Sequence, residues 1–199
     1  MSPRFITLEG GEGAGKSTQA RLLAEALAAA GHPTLLTREP GGAPGAEILR
    51  AMLLAGTHPW SSPAEAYLHF AARAEHLVRT ILPALEAGIT VICDRFADST
   101  LAYQGYGQGA DRTLIQGLTC LLPRQPDLTL MLRVTPTIAA ARMMARHQAL
   151  DRYESMDPAF HARVALGFAE IATANPARCR VIDADGSPNH VHAAIWATL

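Results

Sequence analysis

Residues 10–18, Gly10-Gly11-Glu12-Gly13-Ala14-Gly15-Lys16-Ser17-Thr18, constrain this chain more than any other stretch. The pattern is G-x-x-x-x-G-K-[ST], with Gly10, Gly15, Lys16 and Ser17 at the fixed positions. Those residue types are what a phosphate chain demands. Glycines let the backbone curl so that successive N–H groups aim at one anion. Lys16 offers a mobile ammonium to the outer phosphates, and Ser17 a hydroxyl for Mg²⁺. The flanks agree. An apolar run, Arg4-Phe5-Ile6-Thr7-Leu8, leads into the loop, and Ala20, Leu23, Ala24 and Leu27 then recur on one helical face. That helix adds its positive N-terminal dipole. Strand, loop and helix together separate a phosphate loop from a glycine-rich turn with an accidental lysine.

The rest of the chain alternates in the same way. Short apolar runs at 4–8, 34–37, 89–93, 128–134 and 179–183 are separated by longer helical patterns. The spacing predicts βαβ units and an α/β fold of three layers, with a five-stranded parallel sheet covered by helices on both faces. No repeat or linker interrupts it, so residues 1–199 read as one domain. The formal charge is −1, which leaves no basic footprint for nucleic acid. No apolar run reaches the roughly 18 residues that a membrane span needs. Cys93, Cys120 and Cys179 form no C-x-x-C pair and read as reduced core thiols. Met1-Ser2-Pro3-Arg4 leads straight into the first strand, which predicts no leader and a cytoplasmic location.

Local signals punctuate the helices. A short one at about 45–55 carries Glu47 and Arg50. Ser62-Pro63-Ala64-Glu65 reads as a capping box, with Ser62 at the N-cap and Glu65 at N3. It opens a helix running towards Gly88, about 25 residues and roughly 37 Å long, which Pro83 is expected to kink or break. Phe70 and Arg73 share a face of it. Residues 97–107 mix polar and aromatic types and read as a loop.

Ligands of open parallel sheets sit at the carboxyl ends of the strands. Those ends supply the phosphate loop, then Arg38, Glu39 and Pro40-Gly41-Gly42, then Asp94 and Arg95, then a basic helix with Arg142 and Arg146. Asp94 reads either as a Mg²⁺-holding carboxylate or as a turn aspartate. Arg95 suits bidentate phosphate binding or a surface ion pair. Positions 11–14 contain no arginine or lysine, so a basic lid is the natural source of charge for phosphoryl transfer. A solvated helix face is the plainer reading of Arg142 and Arg146. Phe70 with Arg73 forms either a base-binding wall or ordinary core. Tyr103 and Gln104, in a Gly-flanked stretch, are less expected of core. His147, His161, His190 and His192 make no metal set.

At this point the motifs are specific. From Phe5 to about Val191 the sequence resembles the thymidylate (dTMP) kinases, in the bacterial pattern. The matching stretches are Leu8–Thr18, Thr37-Arg38-Glu39-Pro40-Gly41-Gly42, Phe70-Ala71-Ala72-Arg73, Asp94-Arg95-Phe96-Ala97-Asp98-Ser99, Leu101-Ala102-Tyr103-Gln104-Gly105, Leu150-Asp151-Arg152 and Val181-Ile182-Asp183-Ala184. The resemblance implies ATP + dTMP → ADP + dTDP with Mg²⁺, a mobile lid at about 142–153, and a homodimer. It implies that Gly10 to Thr18 cradle ATP, with Lys16 on its phosphates and Arg142 beside adenine. Ser17 and Asp94 would hold the metal. Glu12 would bond the 3′-hydroxyl of dTMP. Arg50 and Arg95 would hold its phosphate, Phe70 would stack on thymine, and Arg73, Thr100 and Gln104 would touch the base. Tyr103 would crowd the 2′ side of the sugar, and Glu39 belongs with the substrate residues. Phe96 stands where tyrosine is usual. The lid is thin in arginine, since Met143, Met144 and Ala145 interrupt it; Arg146 is the first candidate for its catalytic charge and Arg152 the second. The rival readings are a kinase for another nucleoside monophosphate and a nucleotide-dependent switch, although the guanine signature Asn-Lys-x-Asp is absent.

Overall fold

The computed structural model describes residues 4–145 and 151–199. In chain order it builds β1 (Phe5–Glu9), α1 (Lys16–Ala29), β2 (Thr34–Arg38), α2 (Pro44–Leu54), α3 (Ser62–His76), α4 (Leu82–Glu86) and β3 (Thr90–Asp94). There follow α5 (Ala97–Thr100), α6 (Arg112–Cys120), β4 (Leu128–Arg133), α7 (Pro136–Ala145), α8 (Pro158–Ala174), β5 (Cys179–Asp183) and α9 (Pro188–Trp196). Two π-helical stretches, Leu77–Ile81 and Leu101–Gly107, join α3 to α4 and continue α5. The five strands pair in parallel in the order β2-β3-β1-β4-β5. All five predicted strands form, within a residue at each end.

Alternation along the strands sets the layers. Ile6, Leu8, Ile92, Leu130 and Ile182 face one way and pack on Leu23 and Leu27 of α1 and Val191 and Ile195 of α9. Phe5, Val91 and Cys93 face the other way, onto Leu77, Ile81 and Phe96. Met131 and Cys179 share that second face with Phe160, Val164 and Phe168 of α8. Thr7 and Glu9 belong to this second face by the same alternation. Both are fully buried, and Thr7 hydrogen-bonds Thr129 across the sheet at 2.9 Å. Two buried polar positions in a central strand demand partners, and Glu9 finds its partners beneath the site.

Three local expectations are corrected. The capping box is displaced: Ser61 is the N-cap, its side chain makes no capping bond, and Glu65 falls one position beyond N3. Glu65 is fully buried and turned to other partners. The run 97–107 is helical, because its small residues Ala97, Ala102, Gly105 and Gly107 let it pack tightly on α8 and α6. Tyr103 and Gln104 are therefore buried rather than displayed on a loop. Cys120 is exposed at the end of α6, while Cys93 and Cys179 are buried. The expected break at Pro83 takes a gentler form. The π-turn ends there, with the Leu82 N–H reaching back to the Leu77 carbonyl, so the proline's missing N–H falls where the helix re-registers.

Candidate active site

The carboxyl ends of the strands open into one cavity of about 640 Å³. Its wall at β1 is the glycine loop. Gly10 has φ +142°, and a Cβ there would sit 2.4 Å from the Leu132 carbonyl oxygen; Gly13 has φ +70° and lies against the backbone of Ala139 in α7. Neither position has room for a side chain. Lys16 folds over the loop and donates to the carbonyls of Gly10 (3.0 Å) and Gly11 (2.7 Å). Burial and the Arg95 charge lower its pKa. Ser17 donates its hydroxyl to Asp94 Oδ2, and Asp94 Oδ1 is buried with no hydrogen-bond partner among the described residues.

Arg95 follows Asp94 with φ +72°, the one non-glycine residue in the left-handed region among those described. Such a conformation costs on the order of 1–3 kcal/mol and persists only where the surroundings enforce it. The enforcement is visible. The Arg95 N–H donates to the Leu8 carbonyl, and the next N–H, of Phe96, donates to Glu9 Oε1 at 2.8 Å. Ser99 adds a hydroxyl bond to Glu9 Oε2 at 2.6 Å. The turn aims the Arg95 guanidinium into the cavity, 2.7 Å from Glu12 Oε1 and 4.9 Å above the Tyr103 ring. Burial alone would raise the Glu12 carboxyl. The Arg95 and Lys16 charges and a 2.6 Å bond from the Tyr103 hydroxyl more than offset it and hold it at about 2. Glu12 is thus an ionised acceptor in the middle of the site.

Glu9 behaves in the opposite way. Burial and the nearby Asp98 push its carboxyl from 4.5 up to about 8, against the pull of Ser99, Arg95 and the Phe96 N–H. Asp98 itself is clamped by Arg178 at 2.6 and 2.9 Å. A carboxyl raised in the folded state stabilises the fold fully below about pH 4.5, and that contribution is lost as pH climbs towards about 8. Glu9→Gln keeps the neutral form's shape. Thermal unfolding of both proteins from about pH 5 to pH 8 should show the wild-type Tm falling relative to the variant. Parallel curves would mean that Glu9 is ionised in the fold throughout.

The wall opposite the phosphate loop comes from α3 and the helical run after β3. Arg73 is 2% exposed. Its Nε donates to Glu39 Oε2 (2.8 Å) and its Nη2 to Thr100 Oγ1 (3.1 Å), while Nη1 is buried without a partner among the described residues. The other Glu39 oxygen accepts from His76 Nδ1 at 3.0 Å. The guanidinium lies between the rings of Phe70 (4.7 Å) and Phe96 (5.0 Å). Phe70 itself packs with Ala66, Ala110 and Ile115 and does not line the cavity. Gln104, Thr100, Tyr103, His69 and Tyr153 do. Burial and Arg73 push His69 down to about 3, so it is neutral. Arg50 lines the β2 side and donates to the Pro40 carbonyl at 2.7 Å.

The predicted lid begins in the last turn of α7. Arg142 donates to the carbonyls of Gly13 (3.4 Å), Asp185 (3.3 Å) and Gly186 (2.9 Å), spanning the loops after β1 and β5. Arg146 lies outside the described residues. Arg152 turns towards α3 and ion-pairs with Glu65 at 2.6 Å.

A glycine loop with Lys16 and Ser17 at one strand end, Asp94 at the neighbouring strand end and α1 behind it define the P-loop class of nucleotide-handling α/β proteins. The thymidylate kinase family model matches residues 8–195. The thymidylate kinase of Gluconobacter oxydans is 58% identical over 195 residues, covering 96% of this chain and 91% of that protein. That of Caulobacter vibrioides is 50% identical, covering 96% and 93%. The crystal structure of thymidylate kinase from Ehrlichia chaffeensis superposes with a TM-score of 0.81 at 38% identity, covering 100% of this chain and 99% of the other. The chain belongs to the thymidylate kinase family.

Sequence reasoning missed four residues that hold the site. Glu9 was visible as an acid closing an otherwise apolar strand. The local pattern makes Glu65 a cap. His76 sits one turn after Arg73 with Asp- or Glu-pairing capacity that only the fold reveals, and Tyr153 follows the Asp-Arg pair without a motif of its own.

Proposed function

We propose that this chain transfers the terminal phosphoryl group of ATP to dTMP, giving ADP and dTDP, and that it does so as one kinase domain. The observation that carries the reading is Arg73. A buried cation with one N–H group left unpaired beside a cavity is costly unless a ligand completes it. The thymine 4-carbonyl is the acceptor that fits, and the phosphate loop and Arg95 lie across the same cavity. In this reading a dTMP phosphate oxygen attacks the γ-phosphorus, and the bond to the β,γ-bridging oxygen breaks. Lys16 and the loop N–H groups hold the donor phosphates. Arg95 and Arg50 hold the acceptor phosphate, with Arg95 released from Glu12 as Glu12 takes the sugar hydroxyl. Tyr103, held by that same Glu12, narrows the sugar site against a 2′-hydroxyl. Phe70 lies against the Arg73 guanidinium and off the cavity wall, so it acts on the base through Arg73. Arg146 and Arg152 are the lid candidates for charge at the transferring group.

The Ser17 hydroxyl and the unpartnered Asp94 oxygen are hard oxygen donors of the kind Mg²⁺ prefers. They would hold the ion or its waters, and the ion would neutralise charge on the donor phosphates. The rest of the partner set follows the family: a homodimer, acting in the cytoplasm, where the free thiols Cys93, Cys120 and Cys179 stay reduced. Among the described residues no helix is long and apolar enough to cross a membrane.

The test is a coupled ADP-release assay over dTMP, dUMP, UMP, dCMP, dGMP and AMP. dTMP should give the highest kcat/KM, and turnover should require an added monophosphate. A different best acceptor overturns the substrate, and ATP turnover without any acceptor overturns the kinase reading.

A further inference from the structure

Glu65 is a buried carboxylate with no part in the phosphoryl transfer itself, but it gathers the base-site residue Gln104 and the lid candidate Arg152 around it. It is fully buried on α3. Three donors converge on its Oε1: Gln104 Nε2 at 2.9 Å, Gln108 Nε2 at 2.7 Å and the Tyr153 hydroxyl at 2.8 Å. Arg152 Nη1 faces its Oε2 at 2.6 Å. Burial would raise this carboxyl, but the three hydrogen bonds and the Arg152 charge more than offset that and keep it low, hence ionised. An ionised carboxylate accepts and never donates. It therefore dictates which end of the neighbouring amide turns towards it.

That amide is Gln104, which lines the cavity beside Arg73. Its nitrogen donates to Glu65 and also to the Tyr153 oxygen at 3.2 Å. The Tyr153 oxygen is available as an acceptor because its own proton goes to Glu65. With the nitrogen engaged on that side, the carbonyl oxygen is the end left for a ligand. The unpaired Nη1 donor belongs to Arg73, which lines the same cavity. An acceptor from one residue and a donor from the other, both lining one cavity, suit a base edge that shows N–H beside C=O, the imide edge of thymine or uracil. It mismatches cytosine, whose ring nitrogen accepts and whose exocyclic amine donates. A site built to hydrogen-bond one edge leaves buried groups unpaired against the other, which is where large discrimination arises.

We propose that Glu65 is a specificity-determining positioning residue: it fixes the orientation of the Gln104 amide and so makes the base site select an imide edge over a cytosine edge. The inference rests on the dTMP-kinase reading above. Glu65 touches no substrate and acts through Gln104.

The test is Glu65→Gln. Arg152 still demands an oxygen, so the new amide places its nitrogen towards Gln104, and Gln104 must answer with its carbonyl and turn its own nitrogen into the cavity. The ratio of kcat/KM for dTMP over dCMP should fall at least about tenfold, the change worth about 1.4 kcal/mol of discrimination. Glu65→Asp, which keeps the charge, should hold the ratio closer to wild type. An unchanged ratio in a folded Glu65→Gln protein, with both substrates slowed equally, makes Glu65 a merely structural residue and overturns the inference. A second measurement needs no variant. In the wild-type protein the side-chain NH₂ of Gln104 should exchange with solvent far more slowly than that of Gln125, before and after dTMP is added. Exchange as fast as Gln125 overturns the inference even if Glu65→Gln does not fold. A wild-type enzyme with no preference for dTMP over dCMP instead overturns the substrate reading, whatever the exchange rates show.

Discussion

Lys16→Ala is expected to cut turnover by about 10³-fold or more, with little loss of thermal stability. Phosphoryl transfer leaves little covalent chemistry to the protein, so catalysis consists of positioning and of charge aimed at the transferring group. Removing a single preorganised donor from a water-poor site typically costs about 10²–10³ in kcat. Lys16 is more than a neutral donor. It is a cation, 7% exposed, spanning the carbonyls of Gly10 and Gly11. Its partners in the free protein are backbone oxygens at the cavity edge, which water can satisfy when the side chain is gone. The fold should therefore survive where the chemistry does not. Steady-state ADP release with saturating ATP and dTMP reads the first effect, and thermal unfolding reads the second. A variant that keeps near-wild-type kcat would sink the phosphate-loop assignment. A variant that simply unfolds would mean that Lys16 serves the loop's structure.

What was legible in advance was whatever depends on neighbours in sequence. The phosphate loop, the strand positions and the face of α1 carrying Leu23 and Leu27 are set by spacing and composition, and they appear as read. The family motifs also brought Arg73, Thr100, Tyr103, Gln104, Arg95 and Glu12 to one cavity, as the fold does. What was not legible depends on partners far along the chain. The capping box failed because a Glu three residues after a Ser is a local signal, and a stronger long-range demand overrode it. Three donors from residues 104, 108 and 153 needed one acceptor, and Glu65 was the carboxylate in reach. The 97–107 stretch read as a loop because glycine and polar residues argue against helix in isolation. Packed on α8 the same glycines become an advantage, since a Cβ at Gly107 would sit 2.5 Å from the Phe160 ring. The π-turns are likewise invisible to a pattern of 3.6. They shift the register by one residue, and the second one carries Tyr103 and Gln104 to the cavity wall.

Glu9 shows the same limit from the electrostatic side. A glutamate ending a strand reads as a surface acid. In the fold it lies under the left-handed turn at Arg95, and its high pKa follows from burial that no local window displays. Two acids three residues apart, Glu9 and Glu12, are thus driven in opposite directions. One supports the turn from below with its pKa raised, and the other stays charged between Arg95 and Tyr103.

Arg73 separates stability from substrate reading most sharply. Arg73→Met removes the cation from a pair in which both side chains are at most 3% exposed. Breaking a buried pair by deleting one partner typically costs about 3–5 kcal/mol, because the remaining charge is left uncompensated. For a chain of this size that corresponds to a Tm lower by roughly 6–20 °C. His76 still donates to Glu39, which places the expected drop towards the smaller end. The double variant Arg73→Met, Glu39→Gln removes both charges, and replacing a buried ion pair with neutral groups is often close to neutral for stability. It should regain most of the lost Tm. It should not regain dTMP phosphorylation, since the unpaired Nη1 donor proposed to meet the base is still missing. kcat/KM for dTMP should stay at least about 10²-fold below wild type in both variants, as when a buried hydrogen-bonding group loses its partner. If the double variant recovers activity together with stability, Arg73 serves only the fold, and the base contact lies elsewhere on that wall.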